Sequence, residues 1–214
     1  MLHQPIDKNG DYVYHQLVGK IKEWGGKMST ALIIVDIQND YFPNGKMELS
    51  NPEKAAANAA KVLEWFRQNH KENIFHVQHI ASDPAMGFFL PGTEGTEIHE
   101  AVQPVEHESI IVKHFANSFL QTELESQLKE KEITKVVVVG MMTHMCIDAT
   151  VRAAVDLGYE TTLIEDACSS RELSYQDKIV PAEQVHYAYV GALQGMYADV
   201  TSTEDFLQQK GATL

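Results

Sequence analysis

The chain has 214 residues, 44% of them apolar, with 13 Gly and 7 Pro, which is enough for one sizeable core and short for two. Seventeen Lys and Arg stand against thirty Asp and Glu, a formal charge of −13, and so acidic a surface argues against a nucleic-acid or membrane partner, because nothing would neutralise phosphates. Two cysteines, Cys146 and Cys168, exclude a disulfide scaffold, and no apolar run is long enough for a signal peptide or a bilayer span, so a cytoplasmic location is expected.

Residues 1–28 read as an N-terminal extension. Tyr12, Val13, Leu17, Val18, Ile21 and Trp24 recur at roughly helical spacing until Gly25-Gly26 breaks the pattern. A short helix laid on the domain or on a neighbouring copy is expected there. Residues 29–214 form the main domain. Ala31–Val35 is a continuous apolar run ending in Asp36, the pattern of a strand buried on both faces. Asn51-Pro52-Glu53 starts a helix whose stripe is Ala56, Ala59, Ala60, Leu63 and Phe66. A second strand is expected over 73–80 and a third over 109–112, with the Gly/Pro-rich stretch 81–108 between them as a loop suited to roofing a site. Ser118 with Gln121 resembles a capping box ahead of Leu120, Leu124 and Leu128. Lys135–Val139 reads as a fourth strand, and a helix capped by Thr143 then runs to about Leu157. Tyr159–Glu165 reads as a fifth strand. Pro181 opens a helix with the stripe Val185, Ala188, Tyr189, Ala192 and Met196; a short strand near 198–201 and a helix from Thr203 close the chain. The alternation predicts an α/β fold: three layers, α/β/α, Rossmann-like, around a mostly parallel sheet of about six strands.

Ligands of such sheets bind outside the carboxyl ends of the strands. Asp36 closes the first strand, His79 the second and Lys113 the third, and Cys146 follows the fourth in the first turn of a helix. There, free N–H groups and the helix dipole would stabilise a thiolate, which predicts an acidic thiol at Cys146 and an ordinary one at Cys168. Asp36 is the candidate for moving the thiol proton and Lys113 for supplying positive charge. Gln38, Gln78 and His79 are candidates to face a substrate, and Phe42, Phe88 and Phe89 to wall its pocket. A dinucleotide-binding oxidoreductase is excluded, since Asp36-Ile-Gln-Asn-Asp stands where its glycine fingerprint would be.

Several stretches resemble one family, in its order: Asp36-Ile-Gln-Asn-Asp-Tyr-Phe42, Pro91-Gly-Thr-Glu-Gly-Thr-Glu-Ile-His99, Lys113-His-Phe-Ala-Asn-Ser-Phe119, Gly140-Met-Met-Thr-His-Met-Cys146, Thr150–Gly158 and Glu165-Asp-Ala167. The chain is similar, over about residues 29–207, to the isochorismatase-like cysteine hydrolases, which include nicotinamidases, N-carbamoylsarcosine amidases and ureidoacrylate amidases. The resemblance implies that Asp36, Lys113 and Cys146 are the catalytic triad, that Met141–Met142 is a cis peptide, and that the backbone N–H groups of Met142 and Cys146 hold an oxyanion. Members cleaving the vinyl ether of isochorismate lack the cysteine, so Cys146 implies hydrolysis of a small amide, ureide or carbamoyl C–N bond through a thioester. The alternative is an idle scaffold or binding protein that keeps the family's residues. Nicotinamidases hold zinc on an Asp and two His after the second strand. Here Gln78–Pro84 lacks the Asp-x-His spacing, so no metal and no other cofactor is expected, although His79, Asp83 and His99 can be imagined as ligands. The resemblance and the apolar prelude also imply a homo-oligomer acting on a small-molecule amide-type substrate.

Overall fold

The structure, a computed structural model, describes residues 29–211, so the amphipathic stretch expected over 1–28 lies outside the described residues. Its centre is a six-stranded sheet built from β1 (Ser29–Val35), β2 (Ile74–His79), β3 (Ser109–Lys113), β4 (Ile133–Met141), β5 (Glu160–Ser169) and β8 (Asp199–Thr201). Every pairing is parallel and the order is β3-β2-β1-β4-β5-β8. Two helices, α1 (Pro52–Asn69) and α5 (Thr203–Gln209), cover one face, and α2 (Leu124–Glu130), α3 (Asp148–Asp156) and α4 (Ala182–Leu193) the other. The alternation of β1 shows how the run makes both cores: Leu32 and Ile34 pack beneath α1, while Ala31, Ile33 and Val35 pack beneath α2 and α3.

The chain runs from β1 outward to β3, then returns to place β4 on the other side of β1. The crevice at this reversal, between the carboxyl ends of β1 and β4, is where open parallel sheets bind ligands. Gly140 permits the close approach there. It pairs with Val35 at φ +130°, and a Cβ on it would lie 2.0 Å from the Val35 carbonyl oxygen. Asp36 leaves β1 at φ +51°, a left-handed conformation that Asp tolerates better than most residues.

Several local expectations change in the structure. Ser118 caps nothing: its buried hydroxyl bonds Thr150 Oγ1 at 2.8 Å, Gln121 turns at φ +56°, and α2 begins only after Glu123. Asn51 precedes α1 in a left-handed conformation and makes no capping bond. β5 continues past Glu165, because the Asp166 carboxylate is satisfied from two helices, by Asn58 Nδ2 at 3.1 Å and by the Thr203 N–H at 2.8 Å. A hairpin of β6 (Leu173–Tyr175) and β7 (Lys178–Val180), absent from the sequence reading, lies between β5 and α4. The buried positions of α4 are Val185, Val190 and Leu193, so the face is rotated from the expected stripe and Ala188, Ala192 and Met196 are exposed.

The 81–108 loop is fastened at its far end by Glu108. Its carboxylate accepts from Arg67 Nε at 2.7 Å and Nη2 at 2.9 Å, and from the Val105 N–H at 3.0 Å, and it meets His76 Nε2 at 2.8 Å. Burial opposes this charge, but these donors hold the Glu108 carboxyl down at about 2. Its ordinary value is 4.5, so the stabilisation is fully present above that pH and fades as pH falls towards 2. Glu108→Gln should cost about 2–4 kcal/mol at neutral pH, because Arg67 loses its partner, and should flatten the acid limb of the stability curve. Denaturant titrations at several pH values check this; an unchanged acid limb would contradict it.

Candidate active site

Asp36, Lys113 and Cys146 are drawn to one point by three strand ends. Asp36 and Lys113 are fully buried and Cys146 is 4% exposed. Lys113 Nζ stands 2.7 Å from Asp36 Oδ2 and donates to the carbonyls of Phe115 at 3.0 Å and Ala116 at 3.2 Å. A carboxylate oxygen of Asp36, a ring nitrogen of His79 and the Cys146 sulfur lie within 4.8 Å of one another. His79 Nδ1 is 3.3 Å from Lys113 Nζ and 3.7 Å from Asp36 Oδ2. With the ammonium donating to Nδ1, the ring proton belongs on Nε2, which is buried and has no partner.

Burial disfavours both charges of the ion pair, yet each charge supports the other. The Asp36 carboxyl is held below its ordinary range chiefly by the Lys113 charge, and the Lys113 ammonium is held above its own by Asp36. The sulfur behaves otherwise than the sequence suggests. Burial, and then the Asp36 charge, push the Cys146 thiol above its ordinary value, and Lys113 only partly offsets them. The proton therefore rests on sulfur, and an acidic thiol at rest is not what this geometry makes. Cys168 is also pushed up, to about 12, by its burial.

The expected helix start at Thr143 is replaced by a wide turn over Thr143–Ile147, with α3 beginning at Asp148. Thr143 is not a cap: its hydroxyl donates to the Ser169 carbonyl at 3.1 Å and pairs with His186 Nδ1 at 2.9 Å. The Met142 carbonyl accepts from Met145 at 3.0 Å and Ile147 at 3.2 Å, passing over the intervening Cys146 N–H. Among the described residues the Met142 N–H finds no acceptor. The Met141–Met142 peptide is cis, as the resemblance implied.

The remaining candidates separate. Gln38 is fully buried, and both its amide hydrogens are taken, by the carbonyls of His79 at 2.9 Å and Thr96 at 2.7 Å, while its oxygen accepts from the His79 N–H at 2.7 Å. It clamps β2 to the loop and has no donor left for a substrate. Gln78 donates to the Thr96 carbonyl at 2.9 Å. Phe89 is fully enclosed, 4.7 Å from the Tyr41 ring and 5.8 Å from that of His79, with half-buried Phe88 beside it. Phe42 stacks on His99 at 3.6 Å and lines an open cleft of about 760 Å³ with Asn39, Leu90, Glu94 and Glu100; Asp36, Lys113 and Cys146 do not line it. Tyr41, to which the sequence reading gave no role, is buried, and its phenol is pushed up by burial and then by Cys146 and Asp36.

A nicotinamidase-like zinc site does not fit these residues. Asp83 Oδ1 accepts from the Ala85 N–H at 2.8 Å on an exposed turn, and His99 Nδ1 accepts from the Ala101 N–H at 3.2 Å while its ring is stacked. The buried group Asp36, His79 and Cys146 already holds a cation, the Lys113 ammonium, against two of its three ligand atoms.

The pattern for the isochorismatase domain matches residues 30–205. The chain belongs to the isochorismatase family. It is 59% identical over 181 residues to the Bacillus subtilis (strain 168) isochorismatase family protein YddQ, covering 85% of this chain and all of that protein. It is 36% identical over 178 residues to YrdC of the same organism, covering 83% of this chain and 94% of that one. Among solved structures, a putative isochorismatase hydrolase from Oleispira antarctica shares 44% identity at a TM-score of 0.81, over 86% of this chain and 98% of that one. This isochorismatase-family chain therefore has a hydrolase fold, and among its described residues no helix is long and apolar enough to cross a membrane.

Proposed function

We propose that the protein hydrolyses a C–N bond of a small amide, ureide or carbamoyl compound through a thioester on Cys146. One observation carries this reading: a fully buried Asp36–Lys113 ion pair at 2.7 Å, set within reach of a thiol just past the sheet's reversal point. Relatives between 25% and 29% identical that bear the names streptothricin hydrolase, nicotinamidase and ureidoacrylate amidohydrolase support it.

The resting state is neutral thiol, carboxylate and ammonium. As a substrate carbonyl approaches, Asp36 accepts the thiol proton while the sulfur forms its bond to the carbonyl carbon, so no free thiolate accumulates. Lys113 stays charged and steadies both partners. The developing oxyanion takes the Met142 and Cys146 N–H groups, the first of which finds no acceptor among the described residues. Asp36 then returns its proton to the leaving nitrogen as the C–N bond breaks. A water, deprotonated by Asp36, attacks the thioester; the C–S bond breaks and the sulfur regains its proton from Asp36.

Ammonia or amine release from a panel of small amides, ureides and carbamoyl compounds tests the assignment, with Cys146→Ala as the blank and a chelator arm beside it. Release that depends on Cys146 and survives chelation is expected. Turnover persisting in Cys146→Ala would overturn the nucleophile. Activity lost to chelation and restored by one equivalent of zinc would overturn the metal-free chemistry.

A further inference from the structure

Behind the turn that carries Cys146 stands a histidine with no part in the proposed chemistry. Pro181 precedes the first residue of α4, which sets His186 in the second turn of that helix with its ring against Thr143. Its Nδ1 lies 2.9 Å from Thr143 Oγ1, and Glu165 Oε2 lies 3.6 Å from its Nε2. The fully buried Thr143 hydroxyl decides which way the first of these bonds runs. It has one hydrogen and gives it to the Ser169 carbonyl at 3.1 Å, an acceptor with none to give back. Nδ1 is therefore the donor.

Thr143 thus joins three elements: its own turn, β5 through Ser169, and α4 through His186. A second tie, His144 Nδ1 to Ser170 Oγ at 2.6 Å, reaches the residue after β5 but not α4. Among the described residues the His186 bond is the one side-chain hydrogen bond between the turn and α4. The turn needs such ties. It winds wider than an α-helix, a form that is rare and occurs as single turns. Thr143 directly follows Met142 and stands three residues before Cys146, so a swing of Thr143 re-aims both N–H groups that face the oxyanion. A misplacement of about 1 Å costs about a hundredfold in rate.

We propose that His186 is a positioning residue of the hydrolysis. Through its Nδ1–H bond to Thr143 it braces the turn from α4, so that the Met142 and Cys146 N–H groups stay aimed at the developing oxyanion. The ring itself touches neither substrate nor sulfur; it acts through Thr143. The proposal rests on C–N hydrolysis at Cys146, and its test is chosen to fail separately.

Two readouts are taken on His186→Ala, His186→Asn, His186→Gln and Thr143→Val: the backbone amide NMR signals of Met142 and Cys146, and kcat and KM on an amide or ureide that the wild type turns over. His186→Ala and Thr143→Val should each move both amide signals and lower kcat about tenfold to a hundredfold, with KM within about twofold of wild type. Combining the two should add little further loss, because they break one bond. The amide nitrogen introduced by His186→Asn lies near the place of Nδ1 and should recover most of kcat and the wild-type signals. That of His186→Gln reaches instead to the place of Nε2 and should recover little. Unmoved amide signals or unchanged kcat in His186→Ala, equal rescue by the two amides, or a loss confined to KM would overturn the brace. Failure of the C–N reading shows differently: wild-type protein would release no amine, while the amide signals still moved in His186→Ala and returned in His186→Asn.

Discussion

Asp36→Asn should lower turnover about a thousandfold while making Cys146 faster to alkylate. The loss follows from the loss of the proton shuttle, since an amide neither takes the thiol proton nor returns one to the leaving nitrogen, and general acid–base groups contribute about 10²–10⁴. The gain follows from charge. The Asp36 carboxylate is, after burial, the largest influence holding the Cys146 thiol up, and removing it leaves Lys113 unopposed beside the sulfur. The pH profile of iodoacetamide alkylation should therefore move to lower pH in Asp36→Asn. The sign discriminates between roles. Were Asp36 merely structural, its replacement would slow or leave unchanged the reaction of the thiol.

Lys113→Met should be damaging in both stability and rate. The side chain is fully buried, and its ammonium neutralises Asp36 and serves the carbonyls of Phe115 and Ala116. Methionine keeps the apolar stem but leaves an unpaired buried carboxylate, a loss of about 3–5 kcal/mol. For a domain of this size that is roughly a 10 °C fall in Tm. Asp36 would respond by holding its proton, so the resting site would lack its base and activity should drop about a thousandfold. Adding Asp36→Asn to Lys113→Met should recover part of the lost Tm, because the charge left stranded is gone. Additive losses in the double variant would show that the two groups do not act as a pair.

Much of this arrangement is legible in the sequence because it is built where strands end. An apolar run that stops at Asp36, and the polar ends of β2 and β3 at His79 and Lys113, mark one edge of the sheet without any knowledge of tertiary contacts. What escapes the sequence is settled by partners far along the chain. Ser118 reads as a cap until Thr150 takes its hydroxyl, and Thr143 reads as a cap until Ser169 and His186 take its own. The Gln38 amide looks available until the 81–108 loop closes over it. The β6–β7 hairpin turns through Gln176-Asp177, with Gln176 at φ +56°, and the pair lacks the glycine that most strongly marks a two-residue turn. Its strands are only three residues each, too short for the alternation by which strands are read. The state of the thiol escapes the sequence for a related reason: a helix start suggests a thiolate, whereas the depth of burial and the distance to Asp36 emerge only when three strand ends meet.

The thioester on Cys146 is the step on which the account depends. Acid-quenching a reaction with a turned-over amide or ureide, digesting the protein, and weighing the peptide that carries Cys146 reads it directly. The account predicts an added acyl or carbamoyl mass on Cys146 alone, absent in Cys146→Ala and in Asp36→Asn. Turnover with no adduct on that peptide under any quench, or an adduct borne by Cys168 instead, would contradict it.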